Sequence, residues 1–89
     1  MKISKEKRDK VSEQILAFLF QKNPQPQFTS YVAQDIARDE EFTKKLLFSL
    51  KGKELVIEIK RNASGLEYLR RSRWKLSPKA YEFYARKQK

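Results

Sequence analysis

Between Phe42 and Leu76 the spacing of apolar residues changes period, and this change limits the fold more than any other feature of the chain. Phe42, Thr43, Leu46, Leu47 and Leu50 recur at intervals of three and four, the stripe of an amphipathic helix. Gly52 is the natural stop for that helix. From Leu55 to Arg61 the period falls to two, with Leu55, Ile57 and Ile59 inward and Glu58 and Lys60 outward, as in a half-buried strand. Asn62-Ala63-Ser64-Gly65 then reads as a hairpin turn. Leu66 to Leu76 returns as the partner strand, with Trp74 and Leu76 as its core candidates. A helix feeding a hairpin makes the chain α+β.

The flanking segments complete a small bundle. Ser4 to Gln21 reads as a helix capped by Ser4, with Val11, Ile15, Phe18 and Leu19 as a buried stripe that Leu16 and Phe20 widen. Asn23-Pro24-Gln25-Pro26 stops it, because a residue preceding proline avoids the α region. Phe28 falls in a very short strand. Thr29 or Ser30 caps a second, short helix to about Arg38, with Val32, Ala33, Ile36 and Ala37 inward. Asp39-Glu40-Glu41 opens the third helix, where three acids suit the positive end of the helix dipole. Ser77-Pro78 supplies an N-cap and a first-turn proline for a last helix to about Arg86, carrying Ala80, Tyr81, Phe83 and Tyr84. There is no internal repeat, low-complexity tract or boundary, so residues 1–89 are expected to form a single domain. The expected shared core contains Val11, Ile15, Leu19, Ile36, Leu46, Leu50, Ile57 and Trp74.

Several function classes drop out. The chain has no cysteine and no histidine, so it has no disulfide framework, no thiolate metal site and no Cys or His nucleophile–base pair. Its acids are scattered, it lacks a phosphate-cradling glycine loop, and Ser77-Pro78-Lys79 is better explained as a helix cap than as Ser–Lys catalysis. No enzyme activity, cofactor, metal or small-molecule ligand is therefore expected. No apolar run reaches transmembrane length, and the basic start is followed only by Ile15 to Phe20 without a small-residue cleavage site. A cytoplasmic protein without a membrane role is expected. With 39% hydrophobic and 12% aromatic residues, the chain can fold despite being 36% charged.

The charge is one-sided. Met1 to Glu41 holds seven Lys/Arg against seven Asp/Glu, whereas Phe42 to Lys89 holds fourteen against four, so the whole formal +10 lies in the second half. Such a field draws a polyanion to one part of the surface.

The segment LLFSLKGKELVIEI (Leu46 to Ile59) is similar to the end of a recognition helix running into a first wing strand, and RWKLSPKAYEFY (Arg73 to Tyr84) to a second wing strand running into a final helix. From Phe28 to Leu76 the chain resembles the winged helix-turn-helix superfamily of small archaeal and bacterial regulators, with the terminal helices completing the bundle. One departure is that glycine commonly stands immediately before the apolar wing strand, where this chain has Glu54.

The resemblance implies a three-helix bundle, a two-stranded hairpin wing and a C-terminal helix. It also implies double-stranded DNA as partner, with helix 39–51 in the major groove and wing 55–76 on the backbone or minor groove. On a helical wheel the arc opposite the buried stripe holds Glu41, Lys44, Lys45, Phe48 and Lys51. The lysines suit phosphates more than base edges, because lysine lacks the fork of arginine. Phe48 among them is read either as a ring covered by a slight helix rotation or by the N-terminal arm, or as an apolar contact for a thymine methyl or a protein partner. Lys60, Arg61, Arg70, Arg71, Arg73 and Lys75 form the basic wing, with Arg71, Arg73 and Lys75 on its open face. Tyr81, Phe83 and Tyr84, with Phe18 and Phe20, supply aromatic surface for the core and for a homodimer interface. Two alternatives stand beside the sequence-specific regulator: a non-specific architectural or RNA-associated binder, and a winged helix scaffold for protein interaction.

Overall fold

The computed structural model describes residues 4–60 and 71–87. The order is α1 (Lys5–Lys22), β1 (Gln27–Phe28), α2 (Thr29–Ile36), α3 (Glu40–Gly52), β2 (Val56–Ile59), β3 (Arg73–Leu76) and α4 (Pro78–Lys87). The three strands form one antiparallel sheet in the order β1-β3-β2. The expected turn at Asn62-Ala63-Ser64-Gly65, and Arg61 and Arg70 beside it, lie outside the described residues.

Local chemistry sets most helix ends. The Lys7 N–H donates to Ser4 Oγ at 3.2 Å, and the Phe42 N–H donates to Asp39 Oδ1 at 3.0 Å, so both caps satisfy a first-turn amide. Glu40 and Glu41 then occupy the first turn of α3, at the positive end of its dipole. Ser77 caps α4 by accepting from the Ala80 N–H at 3.1 Å, and Pro78 is the first helical residue.

Three local expectations are corrected. The N-cap of α2 is Phe28, and no side chain caps it; Thr29 turns its hydroxyl toward Trp74 instead. Helix α2 stops at Ile36, and Ala37 is exposed rather than inward, because it adopts the left-handed conformation at φ 56°. Arg38 N–H then reaches Ala33 O at 3.1 Å and Ala37 N–H reaches Gln34 O at 3.3 Å, closing the helix end. Helix α3, whose last residue is Gly52, is closed in the same way by a left-handed residue two positions further on. Glu54 takes φ 63°, its N–H donates to Lys51 O at 2.9 Å, and Leu55 N–H donates to Leu50 O at 3.0 Å. The left-handed residue is therefore Glu54 and not Gly52.

One continuous core joins all four helices and the sheet. It contains Val11, Ile15, Leu16, Phe18 and Leu19 of α1, and Val32 and Ile36 of α2. Leu46, Leu47 and Leu50 of α3, Val56, Trp74 and Leu76 of the sheet, and Ala80 of α4 complete it. Seven of the eight expected core residues are buried; the exception is Ile57, which is 39% exposed. Leu55 packs against the core as expected, but from Val56 to Ile59 the strand is inverted relative to the sequence reading. Val56 pairs with Leu76 and Glu58 with Trp74, so Val56 and Glu58 share the inner face, while Ile57 and Ile59 share the outer face with Lys75 and Arg73. Ile57 and Ile59 outnumber Val56 as candidates within β2, but register overrides that count. Trp74 and Leu76 must both be covered, and a one-residue shift would turn the whole strand over.

Candidate nucleic-acid interface

The buried side of α3 fixes what it presents outward. Thr43, Leu46, Leu47 and Leu50 face the core, and Thr43 Oγ1 also donates to Asp39 O at 2.8 Å. Glu40, Glu41, Lys44, Lys45, Phe48 and Lys51 are exposed. Lys44 and Lys45 lie on the open side of the helix. Phe48 is 43% exposed, but its ring stands edge-on to Trp74, with centroids 5.4 Å apart at 87°. Lys51 turns toward the sheet: its Nζ lies 2.9 Å from Glu58 Oε1 and 5.6 Å from the centre of the Phe48 ring.

The outer face of the sheet carries the second set of cations. Arg73 opposes Ile59 and Lys75 opposes Ile57, and both basic residues are half-buried. Lys60 is exposed at the end of β2. Arg71 is exposed at the approach to β3, with its guanidinium 5.4 Å from the Phe28 ring centre; Phe28 in turn meets Tyr31 edge-on at 5.6 Å. Arg61 and Arg70 belong to the segment outside the description.

Between α3 and the sheet lies an ionic contact, open to solvent on the Lys51 side, that alternation does not foresee. Glu58 was expected to face outward, yet its side chain is only 5% exposed on the inner face. Its carboxylate accepts from Lys51 Nζ and from Ser72 Oγ. Burial alone would push the carboxyl up, but the Ser72 hydroxyl, the Lys51 hydrogen bond, and the charges of Lys51 and Lys60 hold it below the ordinary glutamate value. Sequence reasoning also passed over Lys53 and Arg38, both exposed, the latter with its guanidinium 5.9 Å from the Phe42 ring centre. Their signal was charge alone. The stacking of Arg71 on Phe28 had no local signal, because the two lie far apart in the chain.

The terminal helices meet through aromatic rings. Phe20 lies 5.5 Å from Tyr81 and 5.9 Å from Tyr84 by ring centroids, and the Tyr84 hydroxyl donates to Glu13 Oε2 at 3.3 Å. Burial, the nearby Glu13 charge and that hydrogen bond all raise the pKa of the Tyr84 phenol. Phe83 remains 56% exposed. Among the described residues, no group of three or more His, Cys, Asp or Glu side chains could hold a metal ion, and no helix is long and apolar enough to cross a membrane.

A helix, a short helix, a third helix with a cationic outer side and a small antiparallel sheet make up the winged helix-turn-helix fold. Solved structures share it. The chain superposes with TM-score 0.70 on a MepR mutant from a multidrug-resistant S. aureus clinical isolate, at 17% identity over 86% of this chain and 53% of that one. A mutant of Lactococcus lactis ZitR gives 0.68 at 20% identity, over 88% of this chain and 49% of ZitR. A second S. aureus MepR mutant, bound to an oligodeoxyribonucleotide, gives 0.63 at 22% identity, over 94% and 70%. The chain thus spans about half the length of the first two. No protein-family model and no curated protein matches the sequence.

Proposed function

We propose that the protein is a DNA-binding regulator that lays α3 in the major groove of duplex DNA and sets its basic wing on the backbone or in the minor groove. The observation that carries this reading is the placement of charge. Cations of the second half line the outer side of α3 (Lys44, Lys45) and the wing (Lys60, Arg71, Arg73, Lys75), while Leu46, Leu47, Leu50, Val56, Trp74 and Leu76 of the same elements face the core. A polyanion with regularly spaced phosphates fits such a surface. MepR, which shares the fold, has been seen bound to an oligodeoxyribonucleotide. Phe48 is the one apolar side chain on the exposed arc, suited to a thymine methyl. The reading is of a non-enzymatic, cytoplasmic protein.

Fluorescence anisotropy with random-sequence duplex DNA, duplex RNA, and a duplex enriched by selection from random DNA tests the reading. Binding with a steep salt dependence and a preference for the enriched duplex is expected. Equal affinity for all duplex DNA would favour an architectural binder, which the lack of Arg, Asn and Gln on the exposed arc of α3 also suits. No salt-dependent binding would leave the winged helix as a protein scaffold.

A second reading concerns assembly. Tyr81 is exposed on α4 beside Phe20 of α1, and Phe83 is exposed next to Tyr84, aromatic surface that fits pairing of two copies through the terminal helices. Sedimentation equilibrium of the free protein, compared with Phe83→Glu, tests it; a wild-type monomer at all concentrations would exclude the dimer.

A further inference from the structure

Three segments converge on one carboxylate. Glu58 sits on β2, Lys51 in the last turn of α3, and Ser72 immediately before β3. Glu58 Oε1 accepts from Lys51 Nζ at 2.9 Å and Oε2 accepts from Ser72 Oγ. The carboxylate is buried and its pKa is held low, so it is ionised at neutral pH. Lys51 also lies over the face of Phe48, and Phe48 meets Trp74 edge-on, so the ammonium is directed to the sheet side of the helix.

A cation counts toward salt-dependent DNA binding only when it neutralises a phosphate and releases a counterion. An ammonium already neutralised by a buried carboxylate adds little. We propose that Glu58 is a positioning residue for DNA binding: it withdraws Lys51 from the phosphate-neutralising set and uses it to fix the end of α3 against the base of both wing strands. Helix and wing then meet the duplex at one set spacing, and their relative placement is not ordered at the expense of affinity. The role assigned to Lys51 changes from phosphate contact to clamp. The inference rests on the DNA-binding reading above.

The test measures the slope of log affinity against log salt, and the preference for the selection-enriched duplex over a random one, in the full chain. Lys44→Ala is the reference, with a slope expected to fall by about one. Lys51→Met is expected to leave the slope at the wild-type value and to reduce the preference several-fold. Glu58→Gln releases the ammonium, so the slope on random DNA is expected to steepen by up to about one while the preference falls. A slope lowered by about one in Lys51→Met with preference intact would make Lys51 a plain phosphate contact and overturn the proposal. A Glu58→Gln protein matching wild type in both readouts would overturn it as well. If Lys51→Met fails to fold by circular dichroism, the near-isosteric Glu58→Gln decides alone. Absence of salt-dependent binding by the wild type would remove the DNA reading and this inference with it; wild-type binding with unmoved variants removes only the clamp.

Discussion

The indole Nε1–H of Trp74 donates to Thr29 Oγ1 at 2.8 Å, joining the middle strand of the sheet to the first residue of α2. Trp74 is fully buried, so its N–H has no access to water. The same ring meets that of Phe48 from α3 in a T-shaped pair. One side chain thus holds both helices of the helix-turn-helix unit to the sheet that carries the wing.

Thr29→Val keeps the shape of the side chain and removes the acceptor. The stranded indole donor should cost about 1–3 kcal/mol, read as a lower midpoint in urea unfolding with an unchanged m-value. A change within a few tenths of a kcal/mol would mean the indole finds another acceptor.

Phe48→Ala should destabilise the fold by about 1–2 kcal/mol, through loss of the edge-to-face contact and of partly buried ring area. The protein should still fold, because the ring is 43% exposed. Phe48→Leu should recover part of the loss. Thermal and urea unfolding of both variants check this, and an unfolded Phe48→Ala would place the ring among the indispensable core residues.

Glycine placement at the end of α3 can be improved in two opposite directions. Gly52 has no atom within 4 Å of where a Cβ would stand, so Gly52→Ala should stabilise by about 0.5–1 kcal/mol. Glu54 sits at φ 63°, where a side chain is strained, so Glu54→Gly should stabilise by up to about 1 kcal/mol. Denaturant midpoints of the two variants should both rise; a fall in either would contradict the assignment of the helix end.

Glu58 gives the stability a defined acid limb. Its folded pKa lies below the unfolded one, so its contribution is present above the ordinary glutamate range, about pH 4–5, and is lost as pH falls through the folded value. Glu58→Gln should therefore lose stability relative to wild type at pH 7, and the gap should narrow as the pH is lowered. A gap constant from pH 7 down to pH 3 would assign the loss to packing rather than to ionisation.

Replacing Arg70, Arg71 and Arg73 together by Ala should weaken duplex binding and flatten its salt slope by roughly one to three units. Circular dichroism controls for folding, and an unchanged slope in a folded variant would take the wing off the binding surface.

The amino-acid sequence by itself determined the order of elements, two of the helix caps and most of the core. Ser4 and Ser77 cap through hydrogen bonds that span three residues, and the stripes of α1 and α3 repeat within single helices, so local spacing was sufficient. Asp39, read as a first-turn acid, is instead the N-cap of α3. The sequence also determined the charge imbalance, which needs no coordinates. Only the tertiary structure decided which face of β2 is buried. That strand is apolar on both parities, and its orientation follows from pairing with β3 and from the need to cover Trp74 and Leu76. The same register carried Glu58 inward to Lys51 and Ser72, and drew Thr29 from its expected cap to the indole of Trp74. Each of these outcomes depends on a partner distant in the chain, where hydrophobic period and capping preference have no reach.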